Sequence, residues 1–157
     1  MNKGRHTAQL TAFVIIHNDK GEILLIRRAN TGWRDGEYTF PAGHVDEGET
    51  ALSACVHEVR EEVDLEISEN DLILKNVTQL KKSDNTDDHI NFYFECKKYY
   101  GEAKIGEPDK SDDLIWISPE KFDEIPIINT VRFSFEKARK GEIFATWGFE
   151  NEGKGGN

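Results

Sequence analysis

The chain is predicted to be an α+β fold in which a mixed sheet is sandwiched between helices. Three observations carry this prediction. Short segments rich in β-branched and aromatic residues run through most of the chain. One helical stretch without Pro or Gly, from about Glu49 to Leu65, interrupts them, and a second helix follows late, at 129–140. At 157 residues, without repeats, the chain has the length of one domain. Residues 1–150 are assigned to that domain and NEGKGGN, 151–157, to a disordered tail.

Residues 1–8 are polar. Leu10 to His17 reads as a strand, Asn18-Asp19-Lys20-Gly21 as a turn, and Glu22 to Arg28 as the returning strand, so 10–28 is expected to form a hairpin. Arg27 and Arg28 end it. One of the two is expected to face the site, where a guanidinium meets a phosphate bidentately; the alternative is a surface ion pair. Residues 29–38 form a polar loop with Trp33, which either offers a face to a base or sugar or closes the core under the loop. Tyr38-Thr39-Phe40 is a short strand running into Pro41. Gly43 and Gly48 are expected to permit backbone conformations that other residues resist. His44 is either a backbone-orienting side chain or a substrate contact.

On a helix turning about 100° per residue, Leu52, Cys55, Val56, Val59 and Val63 share one core-facing arc. Glu58, Glu61 and Glu62 share another, with Ala51 and Ala54 above them leaving open space. Like charges at this spacing repel by a few tenths of a kcal/mol, on the order of 0.2–0.5 per pair. The face is therefore either a solvated acidic one or a cluster holding a hard divalent cation through oxygens, and it carries no lysine. Glu49 would open the helix, beside the positive end of its dipole and nearly opposite Glu58.

Beyond the helix, Asp71 to Leu80 is a strand of mixed pattern, 81–89 a polar connection, and Ile90 to Tyr99 a half-buried strand. In that strand Ile90, Phe92, Phe94 and Cys96 alternate with Asn91, Tyr93, Glu95 and Lys97. The spaced Asp84, Thr86 and Asp88 lack the Gly and terminal Glu of a calcium loop. Residues 101–113 form a charged loop, Leu114 to Ser118 a strand, and Pro119 starts a turn or helix. Val131, Phe135 and Ala138 line the apolar side of the helix over 129–140, which Gly141 ends. Ile143 to Phe149 is a final short strand.

The stretch Gly43–Leu65 resembles the Nudix box: a glycine, five residues, Glu, seven residues, then Arg-Glu-aliphatic-x-Glu-Glu-x-Gly-aliphatic. Gly43, Glu49, Glu58, Val59, Glu61, Glu62 and Leu65 match in register. His57 stands where the family has Arg, and Asp64 where it has Gly. The preceding ILLIRRANTGWRDGEYTFPAGH and the later EPDKSDDLIWISPEKF are similar to the family's flanking segments. The resemblance implies a Nudix-type α/β/α sandwich with a mixed central sheet and a loop-helix-loop box. It also implies hydrolysis of a nucleoside diphosphate linked to another moiety X, by water attack on phosphorus.

In this reading Glu58, Glu61 and Glu62 are the metal ligands, for Mg²⁺ with Mn²⁺ as a substitute. Glu58 and Glu61 are catalytic together with a general base from the box or from the 101–113 loop, where Glu107 is preferred over Asp109 and Asp112. Arg27, Arg28, Trp33 and His44 are candidate substrate contacts. Gly43, Glu49 and His57 shape the box; the family's Glu pairs with Arg, and a neutral His cannot replace that fork. Asp64 in place of Gly loses the favoured left-handed C-cap, although Asp tolerates that conformation better than most residues. The rival reading is a non-catalytic Nudix-like module binding a nucleotide or protein.

Composition narrows the partners. The net charge of −10 argues against nucleic acid or an anionic membrane as main partner. It also requires local cations or arginines wherever a polyphosphate docks. With no apolar run long enough to span a bilayer, and Cys55 and Cys96 at apolar positions, a cytoplasmic protein with buried free thiols is expected. The partner expected is a small nucleotide-type molecule, with a homodimer suggested by the family.

Overall fold

The computed structural model describes residues 4–81 and 87–149. The tail at 151–157, and Asp84 and Thr86 of the polar connection, lie outside the described residues. Among the described residues eight strands and two α-helices follow in the order β1 (Ala8–Ile16), β2 (Ile23–Arg28), β3 (Tyr38–Thr39), β4 (Ala42–His44), α1 (Ala51–Val63), β5 (Leu72–Leu80), β6 (Asp88–Cys96), β7 (Ser111–Ile117), α2 (Asn129–Arg139) and β8 (Phe144–Trp147), with short 3-10 helices at Glu69–Asp71 and Pro119–Glu124. They build a five-stranded mixed sheet, β4-β1-β6-β5-β8, and a three-stranded sheet, β3-β2-β7.

The expected hairpin over 10–28 exists only at its tip. His17 bridges Ile23, and Asn18 N–H bonds the Glu22 carbonyl at 3.0 Å, but the strands then part into different sheets. The reason lies in their composition. Both strands are apolar on both faces, and a two-stranded ribbon cannot cover four such faces. β1 therefore pairs with β6 in parallel and with β4 antiparallel, while β2 pairs with β7 and β3.

Two cores result. Ala12, Val14 and Ile16 of β1 join Leu24 and Ile26 of β2 against Cys55, Val59 and Val63 of α1. The alternate residues, Phe13 and Ile15 with Ile23 and Leu25, pack with Val131 and Phe135 of α2. The half-buried reading of β6 is corrected for the same reason. α2 covers its second face, so Asn91 and Tyr93 are buried along with Phe94 and Cys96.

α1 begins at Ala51, not Glu49. Thr50 adopts extended backbone as N-cap, its Oγ1 accepting the Ser53 N–H at 3.0 Å while Ser53 Oγ accepts the Thr50 N–H at 3.1 Å. Glu49 therefore precedes the helix. At the other end Asp64 takes the left-handed conformation, φ 59°, and its N–H bonds the Arg60 carbonyl at 3.2 Å. Ala54 does not leave open space above the acids; it is buried in the α1 core. The thiols of Cys55 and Cys96 are free and buried, and burial pushes Cys55 up to about 12.

Candidate active site

The site forms where α1 crosses β4. Gly43 pairs with Ala12 of β1, and the side chain of Glu58 lies directly over its Cα; a Cβ there would fall within the Glu58 carboxyl group. The glycine is thus required for close approach rather than for an unusual backbone angle, which corrects the conformational reading; Gly48, at φ 84°, is the one that turns the chain. One residue earlier, the Ala42 N–H donates to Glu62 Oε1 at 2.8 Å. A single short strand therefore seats two of the three helix acids.

Glu107 joins them from the loop before β7. That loop docks on the end of α1, where four carbonyls lack helical partners. Lys104 N–H bonds the Val63 carbonyl at 3.0 Å and Gly106 N–H the Glu62 carbonyl at 2.9 Å. Gly106 sits so close that a Cβ would collide with the Glu61 carbonyl. The next residue is Glu107, whose charge reaches both Glu58 and Glu62.

Burial, then the charges of Glu61 and Glu107, push Glu58 up to about 7. Burial pushes Glu62 up to about 8; Glu58 and Glu107 add to this, while the Ala42 N–H and Arg28 oppose it. Glu61 is drawn aside, since His57 Nε2 lies 3.0 Å from its Oε1 and His57 Nδ1 lies 3.8 Å from Glu49 Oε2. His57 thus spans both acids. Glu49, placed opposite Glu58 by the helical wheel, is near enough for its charge to raise Glu58, because it stands outside the helix.

Among the described residues no three Asp, Glu, His or Cys side chains converge into a ready-made ligand set. The donors nonetheless suit a hard cation that keeps part of its water shell. They are carboxyl oxygens, those of Glu58 and Glu62 desolvated and mutually repelling, with Glu58 seated over Gly43 and Glu62 on the Ala42 N–H.

Glu58, Glu61, Glu62 and Glu107 line a cleft of about 880 Å³. Arg28, not Arg27, faces it. Arg27 instead donates from Nε to Asp112 Oδ1 at 2.7 Å and lies over the Tyr38 ring, which removes both Arg27 and Asp112 from the cleft. Neighbouring strand positions point to opposite faces, and only one of the arginine pair can face the acids. Asp109 lines the cleft with Glu107. Trp33 stands on the rim, 49% exposed, which corrects the core-closing alternative. His44 also lines the cleft, its Nδ1 3.5 Å from Thr11 Oγ1 and its ring 6.3 Å from that of His89.

Gly106 and Ala42 escaped the sequence reading. A glycine amid charged loop residues was a visible signal for close approach, but the Ala42 N–H has no signature, since any residue supplies a backbone donor.

Residues 7–137 match the family model described as NUDIX domain. The chain is 30% identical over 111 residues to the 8-oxo-dGTP diphosphatase of Escherichia coli (strain K12), covering 69% of this chain and 82% of that protein. Its fold is similar to that of a MutT NUDIX hydrolase from Burkholderia pseudomallei, with a TM-score of 0.74 and 24% identity, over 83% of this chain and 98% of the other. It is also similar to the NUDIX domain of Shewanella oneidensis NrtR, solved with ADP ribose, with a TM-score of 0.71 and 16% identity, over 87% and 89% of the two chains.

Proposed function

Because the chain belongs to the NUDIX domain family and is a hydrolase of phosphoanhydride bonds, we propose that it cleaves the pyrophosphate of a nucleoside diphosphate linked to another moiety, with Mg²⁺. The observation that supports this most directly is that Glu58, Glu61, Glu62 and Glu107 line one cleft, with Glu58 and Glu107 both raising Glu62 by their charge. Glu58, Glu61 and Glu62 would hold the cation, with Mn²⁺ as a substitute. When bound, such an ion neutralises phosphate charge and lowers the pKa of a coordinated water.

The remaining work falls to the protein. Glu107, on the loop clamped to α1, takes the proton of the attacking water, with Glu58 as the other candidate. Arg28 supplies the positive charge that an acidic protein must present to a phosphate, and its influence already reaches Glu62. His44, on the rim, contacts the outer part of the substrate. Seating Glu58 and Glu62 on β4 fixes their direction before substrate arrives, so little reorganisation is left for the chemical step.

Buried, unpaired Cys55 and Cys96 agree with a reducing cytoplasmic setting. Among the described residues no helix is long and apolar enough to cross a membrane. The test is a product-release screen with Mg²⁺ or Mn²⁺. The Escherichia coli relative puts 8-oxo-dGTP first in the panel and the NrtR complex puts ADP-ribose next, followed by dinucleoside polyphosphates and sugar nucleotides. Turnover that falls by orders of magnitude in Glu61→Gln or Glu62→Gln supports the proposal. No turnover on any of these substrates would overturn it in favour of a binding module.

A further inference from the structure

Residues Glu107 to Ser111 fold into a tight turn. Pro108 stands at its second position, where a fixed φ suits the bend. The Glu107 carbonyl accepts the Lys110 N–H at 2.9 Å and the Ser111 N–H at 3.0 Å. The turn brings the side chains of its two ends together, with Lys110 Nζ 3.9 Å from Glu107 Oε2. At Ser111 the chain enters β7 through a bulge. Arg28 pairs with Ser111 and Arg27 with Asp113, so Asp112 is the extra residue and turns out to Arg27. The Ala29 N–H bonds the Lys110 carbonyl at 2.9 Å, which ties Lys110 to the chain beside Arg28. Both side chains line the cleft.

Among the described residues these two are the lysine and arginine side chains of the cleft wall. Arg28 already donates from Nε to the Trp33 carbonyl at 2.7 Å and from Nη2 to Thr31 Oγ1 at 2.9 Å. Lys110 is held less firmly. Its side chain is 61% exposed, and its distance from Glu107 is that of an ion pair, too long for a hydrogen bond. Pairs between groups open to water are weak. From this arrangement we infer that Lys110 contacts a phosphate of the substrate, and that it leaves Glu107 to do so. The inference rests on the hydrolase reading above and deepens it by naming a second phosphate contact and what its capture does to the general base. An ammonium is a compact charge on a flexible stem, so it swings to a phosphate oxygen without any movement of the backbone. A phosphate with more than one negative charge outcompetes a single carboxylate for it. Glu107 loses its partner in the same event and is left to the attacking water. Substrate arrival and release of the base are then one exchange, made within a single turn of the chain.

The experiment measures binding of methylenediphosphonate, a pyrophosphate analogue that water does not cleave, to the full chain in Mg²⁺ by calorimetry. The proteins compared are wild type, K110M, K110R, E107Q, E107Q/K110M and K20M, the last an exposed lysine outside the cleft. K110M should weaken binding at least about ten-fold, as loss of a charged hydrogen bond implies. K110R should restore most of it, and K20M should change it by no more than about two-fold, since distant surface charges are screened. E107Q should tighten binding about two- to five-fold, because Lys110 no longer has a pair to break. That gain should vanish in E107Q/K110M. On the best substrate of the panel K110M should raise KM more than it lowers kcat. Wild-type binding in K110M, an equal loss in K20M, or an E107Q gain of the same size in both backgrounds would overturn the inference. Failure here leaves turnover and its dependence on Glu61 intact. Failure of the hydrolase reading would instead appear as no turnover, with the effect of K110M on diphosphonate binding still measurable.

Discussion

The carboxyl group of Glu58 rests on the Cα of Gly43, in space that any side chain at position 43 would occupy. G43A should therefore displace the acid rather than unfold the protein. Overpacking of this kind costs about 1–3 kcal/mol of stability. Turnover should fall by at least about ten-fold, because an error of about 1 Å at a reacting group costs on the order of 10²-fold. Thermal unfolding and kcat measured on the same preparation check the two effects separately.

The raised carboxyls make a pH prediction for the cation-free protein. Glu62, at about 8, and Glu58, at about 7, hold their protons in the folded chain well above the ordinary value of 4.5. The unfolded chain releases those protons from about pH 4.5 upward. Their contribution to stability is thus complete below that pH and is lost as pH climbs toward 8. Urea midpoints in chelator should fall across this interval, and saturating Mg²⁺ should oppose the fall. In E62Q, where the amide oxygen still accepts the Ala42 N–H, the upper part of the slope should flatten.

Gly106 should matter as much as the acid it precedes. A Cβ at 106 strikes the Glu61 carbonyl and lifts the loop from the end of α1, carrying Glu107 with it. E107Q should lower kcat by about 10²–10⁴-fold if Glu107 is the general base. G106A should lower it in the same direction, and the double variant G106A/E107Q should be little worse than E107Q alone. Single-turnover rates would reveal independent losses if the two residues act separately.

The adjacent arginines should separate cleanly. R28A removes the cleft-facing charge, and charged hydrogen bonds worth about 1.5–3 kcal/mol correspond to a rise in KM of roughly 10- to 150-fold. R27A breaks an exposed pair with Asp112, so it should leave stability almost unchanged and change KM by no more than about two-fold. Steady-state kinetics on the two variants decide between them.

Much of the molecule was legible before any coordinates. The helical period placed Cys55, Val59 and Val63 in the core and Glu58, Glu61 and Glu62 on the cleft side, because a helix repeats its faces at a fixed spacing whatever it packs against. The register of Gly43 and the four glutamates carried the resemblance to the Nudix box, and it was that resemblance which implied phosphoanhydride chemistry; it was legible because those distances along the chain are local. Asp64, expected to lose the favoured left-handed cap, keeps that conformation at φ 59°.

What the tertiary structure decided is everything that depends on elements far apart in sequence. It split the expected hairpin between two sheets, buried both faces of β6, and chose Arg28 over Arg27. It brought Glu107 to Glu58 and Glu62 by docking a loop on orphaned helix carbonyls. It also turned Gly43 from a flexible joint into a seat for a carboxylate. The residue pattern determines which faces an element has, but what covers each face follows from packing between segments that no local period encodes.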